Sequence, residues 1–497
     1  MMATLALVVA DRSTLSRIQH LIGGELCDPI GDAWLDNVEP ATGQVYSLVP
    51  DGDARDVDAA VTAAASAFPT WSHTPASERS RILLRLADLM ERDHEALARA
   101  ESIDSGKPIA LARRLDIARS IANVRFFATA ILHTHSELYE TAGVAMDYVL
   151  RRPRGVAGLI SPWNLPLYLF TWKVAPAIAA GCTAVAKPSE ITPMSAFLFG
   201  RLCLEAGLPP GVLNIVQGRG PTVGEAITTH PGINTISFTG GTATGARIAA
   251  NAAPRFKKLA LELGGKNPAI VFADADLDMV VPGTLRAAFE NQGQICLCGP
   301  RLFVQEPLLE AFTERFVAAT RALRIGDPLD EATQQGSLVS QAHLEKVMGY
   351  VDLALEEGGS VLTGGVPPPL VSDRCRDGFF LAPTVISGLG PECRVNQEEI
   401  FGPVACIIPF RDEEQVVAWA NGTTYGLASS IWTNDLRRAH RMAERIDTGI
   451  VWVNTWLQRD LRVPFGGMKQ SGVGREGGDE ALRFFTEPKT VTIATSW

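Results

Sequence analysis

The sequence predicts an α/β protein built on parallel sheets, and two observations support this fold class. Helical stretches alternate with short apolar strands along most of the 497 residues, and each candidate strand runs into a loop rich in Gly, Pro or Ser. Alternating strands and helices are typical of parallel sheets, which bind their ligands at the loops that follow the strands. At roughly 150 residues per domain, the length indicates about three structural units.

The individual elements follow from local signals. Pro75 behind Thr74 is typical of a helix start, with Thr as the cap and Pro in the first turn. One face of this helix is apolar, at Ile82, Leu83, Leu86, Leu89 and Met90. Short strands are predicted at residues 156–160, 183–186, 213–216, 235–238 and 269–272, and a further helix at residues 246–251. The sequence changes character after Gly264-Gly265, which predicts a domain boundary near residue 265.

Charge and cysteine content exclude several classes of function. The chain has 45 Lys and Arg residues against 55 Asp and Glu, a net charge of −10 and a pI near 5.4. Without a basic run, it offers no electrostatic footprint for nucleic acid or for an anionic membrane surface. Eight cysteines without a C-x-x-C pair are too few for a disulfide scaffold and do not form a zinc motif. We therefore expect no metal and a reducing, cytoplasmic location.

The N-terminal residues do not predict a membrane anchor. The apolar start at residues 3–10 is too short to span a bilayer and has no basic residues before it, as a secretory signal would. No other run reaches the length of a transmembrane segment. We interpret residues 1–17 as a loose extension of a soluble protein.

Three residues stand in contexts that favour chemistry, although each has a plainer interpretation. Cys296 follows Gly-Gln in a polar stretch, where exposure at a turn and nearby backbone amides would favour the thiolate; a lone cysteine is more often small and buried. Glu262 lies in an apolar Leu-Glu-Leu frame, where a carboxylate is either salt-bridged or has a raised pKa and acts as a base. Asn164 lies between two prolines, which would hold its amide as an oxyanion donor must be held, or it forms an ordinary turn.

A Gly-rich turn at residues 238–245, Phe-Thr-Gly-Gly-Thr-Ala-Thr-Gly, separates a predicted strand from a predicted helix. Backbone amides at the start of such a helix suit a pyrophosphate. The turn matches neither a Walker loop nor G-x-G-x-x-G, so by itself it is a weak signal.

Together these stretches resemble the aldehyde dehydrogenase superfamily. Phe-x-Asn-x-Gly-Gln-x-Cys (289–296), Leu-Glu-Leu-Gly-Gly-Lys (261–266), Pro-Trp-Asn (162–164) and Glu-Glu-Ile-Phe-Gly-Pro (398–403) occur in the order and spacing of that family, and the resemblance extends from about Leu21 to Thr492. It implies a Rossmann-type NAD-binding domain at residues 1–132 and 153–264 and an α/β catalytic domain at residues 265–465. It also implies a β arm at residues 133–152 and 480–497, whose strands join a homodimer or homotetramer.

The resemblance assigns roles to individual residues. Cys296 would be the nucleophile, Glu262 the general base, and Asn164 the oxyanion donor together with the Cys296 backbone amide. A base at position 262 favours hydrolysis of the thioester over transfer to coenzyme A. The implied ligands of NAD are Ile160, Ser161, Pro162, Trp163, Lys187, Ser189, Glu190, Gly220, Gly224, Phe238, Thr239, Gly240, Gly241, Leu263, Gly264, Glu399 and Phe401. Gly241 departs from the pattern, because many members carry Ser there.

Longer stretches at residues 116–119, 158–167 and 449–462 are similar to the 2-aminomuconic and 2-hydroxymuconic semialdehyde dehydrogenases. This resemblance implies that Arg119 and Arg459 hold the carboxylate of a semialdehyde, and it does not separate the amino from the hydroxy substrate. The plainer interpretation pairs Arg119 with Asp116, and Arg459 with Asp460 or solvent. Two other functions stay open: a broad-specificity aliphatic or retinal-type aldehyde dehydrogenase, and a non-catalytic structural or binding relative.

Overall fold

The computed structural model describes residues 12–369 and 371–495. The apolar start at residues 3–10 therefore lies outside the described residues. Residues 12–17 are not a loose extension, which corrects the prediction: they form a 3₁₀ turn at Arg12–Thr14 and a strand at Ser16–Arg17. That strand is held because it pairs in parallel with Ser47 and Leu48.

The strands of the described chain are β1 (Ser16–Arg17), β2 (His20–Ile22), β3 (Glu25–Cys27), β4 (Trp34–Glu39), β5 (Gln44–Pro50), β6 (Leu138–Thr141), β7 (Ala145–Pro153), β8 (Val156–Ile160), β9 (Thr183–Lys187), β10 (Leu213–Ile215), β11 (Thr235–Thr239), β12 (Lys258–Glu262), β13 (Pro268–Val271), β14 (Arg301–Gln305), β15 (Ser360–Thr363), β16 (Thr384–Ser387), β17 (Val404–Phe410), β18 (Tyr425–Gly426), β19 (Ala428–Trp432), β20 (Ile450–Val453), β21 (Met468–Lys469), β22 (Gly472–Val473) and β23 (Thr486–Ala494).

The α-helices are α1 (Ala54–His73), α2 (Ala76–Arg92), α3 (His94–Ser105), α4 (Ile109–Leu111), α5 (Ala118–Ala130), α6 (Pro166–Ala179), α7 (Met194–Glu205), α8 (Glu225–Thr229), α9 (Thr242–Ala252), α10 (Leu277–Phe289), α11 (Leu309–Arg321), α12 (Gln341–Glu356), α13 (Arg394–Gln397), α14 (Glu413–Asn421), α15 (Leu436–Arg445) and α16 (Gly478–Phe484). Two π-helical segments lie at Ala112–Ile117 and Gly220–Gly224, and short 3₁₀ turns at Ile131–His133, Ala253–Arg255, Glu290–Gly293 and Glu306–Leu308.

The first large sheet has eight strands in the order β22-β12-β11-β8-β9-β10-β2-β3. Its five central strands are parallel, whereas β2, β3 and β22 add antiparallel edges. Every residue of β8, β9 and β11 is buried, as expected for strands that have helices on both faces. Because parallel strands end at the same edge, the loops after β8, β9, β11 and β12 lie side by side.

The second large sheet has seven strands in the order β15-β16-β17-β14-β13-β19-β20, and only β15 runs antiparallel. The chain leaves the first sheet after Glu262 and enters the second at Pro268. It returns when β22, at Gly472–Val473, pairs with β12. Residue 265, where the sequence predicts a boundary, lies in the connection between the two sheets.

A separate three-stranded sheet contains β6, β7 and β23. The long pairing of β7 with β23 runs from Ala145 opposite Ala494 to Pro153 opposite Thr486. Within the arm expected at residues 133–152 and 480–497, the described strands are β6, β7 and β23, and the residues before Leu138 and before Thr486 are not strand. Residues 480–484 are helical within α16, whose Ala481, Leu482 and Phe484 pack into the first core.

The five predicted strands are confirmed to within one or two residues at each end. The two helix starts differ. The helix predicted after Thr74 begins at Ala76 with Pro75 as the cap residue, while Thr74 ends the preceding helix and its hydroxyl donates to the Thr70 carbonyl. The helix predicted at residues 246–251 begins earlier, at Thr242. Gly245 therefore lies inside the helix rather than before it. A Cβ on this residue would come within 2.5 Å of the Leu263 side chain, so the glycine allows the helix to pack closely against Leu263.

Candidate active site

The Cys296 loop follows α10 and contains an unusual backbone. Asn291 and Gln292 have φ of 54° and 55°, in the left-handed region that non-glycine residues rarely adopt, and Gly293 follows with φ of 70°. Each such residue costs on the order of 1–3 kcal/mol and persists only where its surroundings fix it. A Cβ on Gly293 would lie 2.2 Å from the Gly402 carbonyl oxygen, which explains the glycine of the motif.

Hydrogen bonds hold this strained turn in place. Asn291 donates from Nδ2 to the carbonyl oxygens of Asn164 and Gln294, at 3.0 and 3.2 Å. Gln292 donates from Nε2 to the carbonyls of Gly106 and Ser337, at 3.0 and 2.8 Å. The turn is therefore tied to the loop of Asn164 and to a distant part of the chain, so the backbone that carries Cys296 is fixed.

Asn164 lies in the loop between β8 and α6 and is buried. Its Nδ2 donates to the Gln294 carbonyl at 2.9 Å, and its own carbonyl accepts from Asn291 and from Lys107 Nζ, both at 3.0 Å. An amide nitrogen has two protons. One is used to orient the side chain toward the Cys296 loop, and the second remains to donate to a bound ligand.

The Cys296 side chain is half-buried, within an apolar cluster that includes Tyr168, Trp456 and Phe465. Burial, with the carboxyl groups of Glu399 and Glu262 nearby, raises the pKa of the thiol to about 12. The backbone amide that the sequence led us to expect does lower the pKa of this thiol, but loss of solvation acts in the opposite direction and is the larger effect. Cys298 is fully enclosed in the same cluster, and burial raises the pKa of its thiol as well.

Glu262 ends β12 and is buried. Neither carboxylate oxygen has a hydrogen-bond partner among residues 12–369 and 371–495, so the salt-bridged alternative is excluded for the described chain. Burial, and then the nearby Glu476, raise the pKa of this carboxyl well above its usual range. Glu476 is itself paired with Lys173 Nζ at 2.7 Å. An unpaired buried carboxyl of this kind is typical of a functional site.

A cleft of about 280 Å³ brings together most of the segments that the sequence singled out. It is lined by Pro162, Trp163, Asn164, Thr239, Gly240, Gly241, Leu263, Gly264, Cys296, His343, Lys346, Glu399 and Phe401. Ile160 and Phe238 lie in the strands beneath it, and Ser161 begins the loop after β8. Residues from both large sheets therefore form one site.

The helix start at one end of this cleft suits an anion. Gly241 is the cap residue of α9, an 11-residue helix, and a Cβ placed on it meets nothing within 4 Å. The side-chain hydroxyls of Ser161 and Thr239 are buried, and neither has a partner in the described part of the chain. Backbone amides and free hydroxyls at a helix start are suitable donors for a pyrophosphate, and the open space at Gly241 is where a Ser hydroxyl is missing.

Lys187 and Glu190 form a second polar cluster after β9. Lys187 Nζ lies 2.9 Å from Glu190 Oε2, and Glu190 Oε1 accepts from the Gly220 amide at 3.1 Å. Burial opposes ionisation of Glu190, but Lys187 and these hydrogen bonds keep its pKa below its ordinary value. Ser189 accepts from the Ile191 amide at 3.3 Å. Gly220 and Gly224 bound the π-helical turn beside this cluster.

Glu399 is fixed at the other end of the cleft. Its Oε1 accepts from the Gly265 amide at 2.8 Å, and a Cβ on Gly264 would lie 2.3 Å from Oε2, so a glycine is required there. Phe401 has φ of 62°, and its ring packs edge-on against Trp163 at 5.3 Å. His343 contacts Phe401 and Trp163: its Nε2 lies 2.7 Å from the Phe401 carbonyl oxygen, and its ring packs edge-on against the Trp163 ring.

Arg119 and Arg459 lie close together, and neither plainer pairing is present. Their guanidinium carbons lie 5.6 and 5.3 Å from the centre of the Trp172 ring, and Arg459 Nη1 donates to the Tyr168 hydroxyl at 3.1 Å. Asp116 binds Lys107 instead of Arg119, and Asp460 binds Arg462 instead of Arg459. Within the described ranges, Nε and Nη2 of Arg119 and Nη2 of Arg459 have no hydrogen-bond partner.

Both arginines line a cavity of about 790 Å³, together with Phe126, Trp452 and Phe465. Arg459 lies directly over the Phe465 ring, 3.9 Å from its centre. Burial, with the like charge of Arg459 nearby, lowers the pKa of Arg119, and the opposing effects of Tyr168 and Asp460 do not offset it. Two half-buried guanidinium groups that face one cavity, without an ion-pair partner among the described residues, are chemically suited to a carboxylate.

Several residues of the site were missed by sequence reasoning. Tyr168 is hidden in α6, where all 14 residues are buried and no periodicity distinguishes them. His343 and Lys346 belong to α12, far from any motif, and Lys107 follows α3 in an ordinary polar stretch.

The described residues contain no cluster of three or more potential metal ligands and no helix of the length and apolarity needed to cross a membrane.

The chain belongs to the aldehyde dehydrogenase family, whose sequence model matches residues 29–491. It is 50% identical to the 2-aminomuconic semialdehyde dehydrogenase of Mus musculus, over 98% of this chain and 100% of that protein. It is 44% identical to the 2-hydroxymuconic semialdehyde dehydrogenase of Pseudomonas sp. strain CF600, over 96% and 100%. The crystal structure of PnpE in complex with nicotinamide adenine dinucleotide matches with a TM-score of 0.93 and 43% identity, over 96% and 97%. The family resemblance and fold class expected from the sequence are thus confirmed.

Proposed function

We propose that this chain oxidises the aldehyde group of a muconic semialdehyde to a carboxylate, with NAD as the oxidant. Membership of the aldehyde dehydrogenase family supports the reaction type. Relatives that match nearly the whole length of this chain are named 2-aminomuconic and 2-hydroxymuconic semialdehyde dehydrogenases. The observation that carries the substrate class is the pair of half-buried guanidinium groups of Arg119 and Arg459, which keep buried N–H groups without a hydrogen-bond partner among the described residues. An aliphatic or retinal-like aldehyde offers these cations no partner, and a non-catalytic relative has no need of an unpaired Glu262.

The cleft fits NAD, on the donor set described above. We assign the amides at the start of α9 and the hydroxyls of Ser161 and Thr239 to the pyrophosphate, Lys187 and Glu190 to the adenosine ribose, and Glu399 to the nicotinamide ribose. The bound nicotinamide supplies a hydride acceptor. We assign residues 1–132 and 153–264 to NAD binding and residues 265–465 to catalysis, with Cys296 at the junction.

In the acylation half of the reaction, Cys296 Sγ forms a bond to the aldehyde carbon as the thiol loses its proton. The carbonyl oxygen becomes an oxyanion, and the free Nδ2 proton of Asn164 and the Cys296 backbone amide donate to it. Loss of hydride from the same carbon restores the C=O bond and leaves a thioester on Cys296. Because burial raises the pKa of the thiol to about 12, a proton acceptor has to act at this step.

In the deacylation half, Glu262 takes a proton from water, which adds to the thioester carbon and displaces the Cys296 sulfur. The acid is released and the thiol is reformed, so the balance is aldehyde, NAD and water giving acid, NADH and a proton. The raised pKa of Glu262 means that the ionised carboxylate is strongly basic, as this step requires.

At the far end of the substrate, we propose that Arg119 and Arg459 bind the carboxylate that both muconic semialdehydes share. A planar guanidinium can grip a carboxylate through two parallel hydrogen bonds, which an ammonium cannot do. The stacking of both cations on Trp172 keeps them in place before the anion arrives.

The test is steady-state NADH production with a panel of aldehydes. Freshly generated 2-amino- and 2-hydroxymuconic semialdehydes should exceed hexanal in kcat/KM for the unaltered protein. A hydrogen bond to a charged group contributes roughly 1.5–3 kcal/mol, so Arg119→Ala or Arg459→Ala should lower kcat/KM for the muconic substrates by about 10- to 100-fold. Hexanal should be nearly unaffected.

Arg441→Ala is the matched control, because Arg441 is exposed, pairs with Glu413 and does not line the cavity of Arg119 and Arg459. It should leave both substrate classes unchanged. If Arg459→Ala reduces turnover of hexanal and of the muconic substrates equally, Arg459 has a structural role; if hexanal is the better substrate of the unaltered protein, the proposed substrate class is wrong.

We also propose a cytoplasmic homodimer or homotetramer, assembled through the arm at residues 133–152 and 480–497. The support is the apolar surface of the β6, β7 and β23 sheet, where Leu138, Tyr139, Met146 and Ile493 are exposed. The cysteines of the described chain are all free, in keeping with a reducing compartment. Light scattering on the purified protein measures the oligomeric state, and Met146→Glu should shift it toward monomer.

A further inference from the structure

Lys107 lies beneath the Asn164 loop with its ammonium fully buried. Its Nζ is 2.6 Å from Asp116 Oδ1 and 3.0 Å from the Asn164 carbonyl oxygen, and a second carboxylate, Glu101 Oε2, lies 4.0 Å away. The group is out of reach of solvent and does not line the cleft of Cys296. Its direct link to the site is the main chain of Asn164.

Stability alone is a poor explanation for this cluster. Taking charges out of water is expensive, and buried ion pairs are often no better for stability than apolar residues of similar size. Burial raises the pKa of Glu101 to about 8, and it also raises the pKa of Asp116. Within the described chain, Glu101 Oε2 and Asp116 Oδ2 have no hydrogen-bond partner. The cluster is therefore costly, which points to a role in geometry.

The cluster holds the backbone at the oxyanion donor and at the start of α6, directly after it. The Asn164 carbonyl accepts from Lys107 and from Asn291, both at 3.0 Å. In the first turn of α6, the backbone amide of Leu167 donates to Glu101 Oε1 at 2.7 Å. Two peptide groups three residues apart are thus fixed by one buried set of charges.

We propose that Lys107 is a positioning residue for acylation: by fixing the Asn164 peptide, it aims the free Nδ2 proton of Asn164 at the oxyanion. This inference rests on the proposed function, in which Asn164 is the oxyanion donor. The aim depends on two bonds, from Nδ2 to the Gln294 carbonyl and from Lys107 to the Asn164 carbonyl. Without the ammonium, the Asn164 carbonyl keeps only Asn291 as donor in the described chain, and its peptide can rotate.

The size of the effect follows from the donor it acts through. Loss of a whole oxyanion-hole donor lowers turnover by about 10²- to 10³-fold, and a misaligned donor should lose part of that, about 10- to 100-fold. The effect should be seen in acylation, the step that the NADH burst reports, because an oxyanion forms there before hydride leaves. Binding of NAD should be unchanged, since Lys107 does not line the cofactor cleft.

The experiment is a double-mutant cycle between Lys107→Met and Asn164→Ala, read out as the rate of the pre-steady-state NADH burst at saturating NAD. The aldehyde is whichever member of the panel gives the fastest burst with the unaltered protein. Lys107→Met should slow the burst by about 10- to 100-fold in the unaltered background but by less than about twofold in the Asn164→Ala background, because the two act as a unit. The Kd of NAD, from protein fluorescence, should agree between the two proteins of each pair that differ only at position 107, because Lys107 does not line the cleft.

Ser102→Ala is the matched control for disturbance of the same buried turn. Ser102 Oγ donates to the backbone carbonyl of Lys107 at 2.7 Å and does not touch the ammonium. This variant should lose stability and keep the burst rate. If Lys107→Met fails to fold, the charge-balanced Lys107→Met/Asp116→Asn protein takes its place in the cycle, because it removes the buried pair together.

Equal slowing of the burst by Lys107→Met in both backgrounds, or no slowing in either, would overturn the assignment of Lys107. Absence of a burst from the unaltered protein with every aldehyde of the panel would instead overturn the proposed function. The two failures are therefore distinguishable.

Discussion

Arg459 donates a hydrogen bond of 3.1 Å from Nη1 to the hydroxyl of Tyr168. Tyr168 also lies against the second guanidinium, since the guanidinium carbon of Arg119 is 5.6 Å from the centre of its ring. The two cations are thus oriented by an aromatic hydroxyl and aromatic faces rather than by a carboxylate. The orientation leaves unpaired N–H groups for a ligand, and this relationship gives the first prediction.

Tyr168→Phe removes the hydrogen bond to Arg459 and keeps the ring. Loss of a hydrogen bond to a charged group costs roughly 1.5–3 kcal/mol, part of which Arg459 regains by moving, so KM for the muconic semialdehydes should rise about tenfold. The kcat should change little. Steady-state kinetics check this, with the exposed Tyr139→Phe as the control. An equal rise in KM for hexanal would show that the bond supports the fold rather than the carboxylate site.

Cys296→Ser should abolish NADH production, because an alcohol of much higher pKa replaces the thiol in an enclosed site. NAD should still bind, since the cleft is otherwise unchanged. Cys298→Ser serves as the control and should keep most of the turnover at some cost in stability, because Cys298 packs within the apolar cluster. Activity assays and titration of NAD by fluorescence distinguish the two. Full turnover by Cys296→Ser would contradict its assignment as nucleophile.

Glu262 predicts a pH dependence of deacylation. Burial raises the pKa of its carboxyl, so the group is protonated at low pH and the rate should fall about tenfold per unit below that pKa. Glu262→Gln should give a burst of NADH close to one per site, then slow turnover with no such pH dependence. Single-turnover measurements of thioester hydrolysis across pH check this. If Glu262→Gln gives no burst, Glu262 also activates Cys296.

The same carboxyl should lower stability at high pH. Its pKa is raised above the value of the unfolded chain, so its favourable contribution is complete below the unfolded pKa and is lost as pH rises through the folded pKa. The free energy of unfolding of Glu262→Gln should therefore decline less than that of the unaltered protein as pH rises. Denaturant titrations at several pH values measure the difference. Parallel pH profiles would mean that Glu262 is solvated in solution.

Glu190 predicts a preference for NAD over NADP. A 2′-phosphate on the adenosine ribose would meet the Glu190 carboxylate in a partly dry site, which is unfavourable, although Lys187 reduces the repulsion. The kcat/KM with NADP should be about tenfold lower, on the grounds that a like-charge contact in a partly dry site, even when Lys187 reduces it, costs about 1.4 kcal/mol. Glu190→Gln should reduce the ratio of kcat/KM with NAD to kcat/KM with NADP. Glu225→Gln, which lies outside the cluster of Lys187 and Glu190, should leave this ratio unchanged. Equal efficiency with both cofactors would contradict the assignment.

How far the sequence determines this site differs between its parts. Asn164, Thr239 and Glu262 could be predicted to meet, because each follows or ends a strand of a parallel sheet whose loops share one edge. The effect of burial on the Cys296 thiol could not be predicted. A Gly-Gln stretch indicates a polar turn, whereas the apolar side chains that pack against Cys296 come from distant parts of the chain. Lys107 could not be predicted for the same reason, because its neighbours Glu101, Asp116 and Asn164 are brought to it only by the fold.

The arginine pair shows the limit of local pairing rules. Spacing along the helix allows Asp116 to bind Arg119, yet Asp116 pairs with Lys107, and Arg119 Nε and Nη2 have no hydrogen-bond partner among residues 12–369 and 371–495. The backbone explains this, because Asp116 belongs to the π-helical segment Ala112–Ile117, where the register of side chains differs from that of an α-helix. No sequence rule for ordinary helices predicts that register.

The pairing of β22 with β12 determines when, during synthesis of the chain, the surroundings of Glu262 can be completed. Glu262 lies opposite Gly472, and the Leu263 amide donates to the Ser471 carbonyl at 2.9 Å. During synthesis, the strand that ends in the base is therefore left at a bare sheet edge until more than 200 further residues have been translated. Cys296 emerges from the ribosome long before that edge is closed. On the proposed mechanism, hydrolysis of a thioester on Cys296 therefore requires a chain translated at least as far as β22.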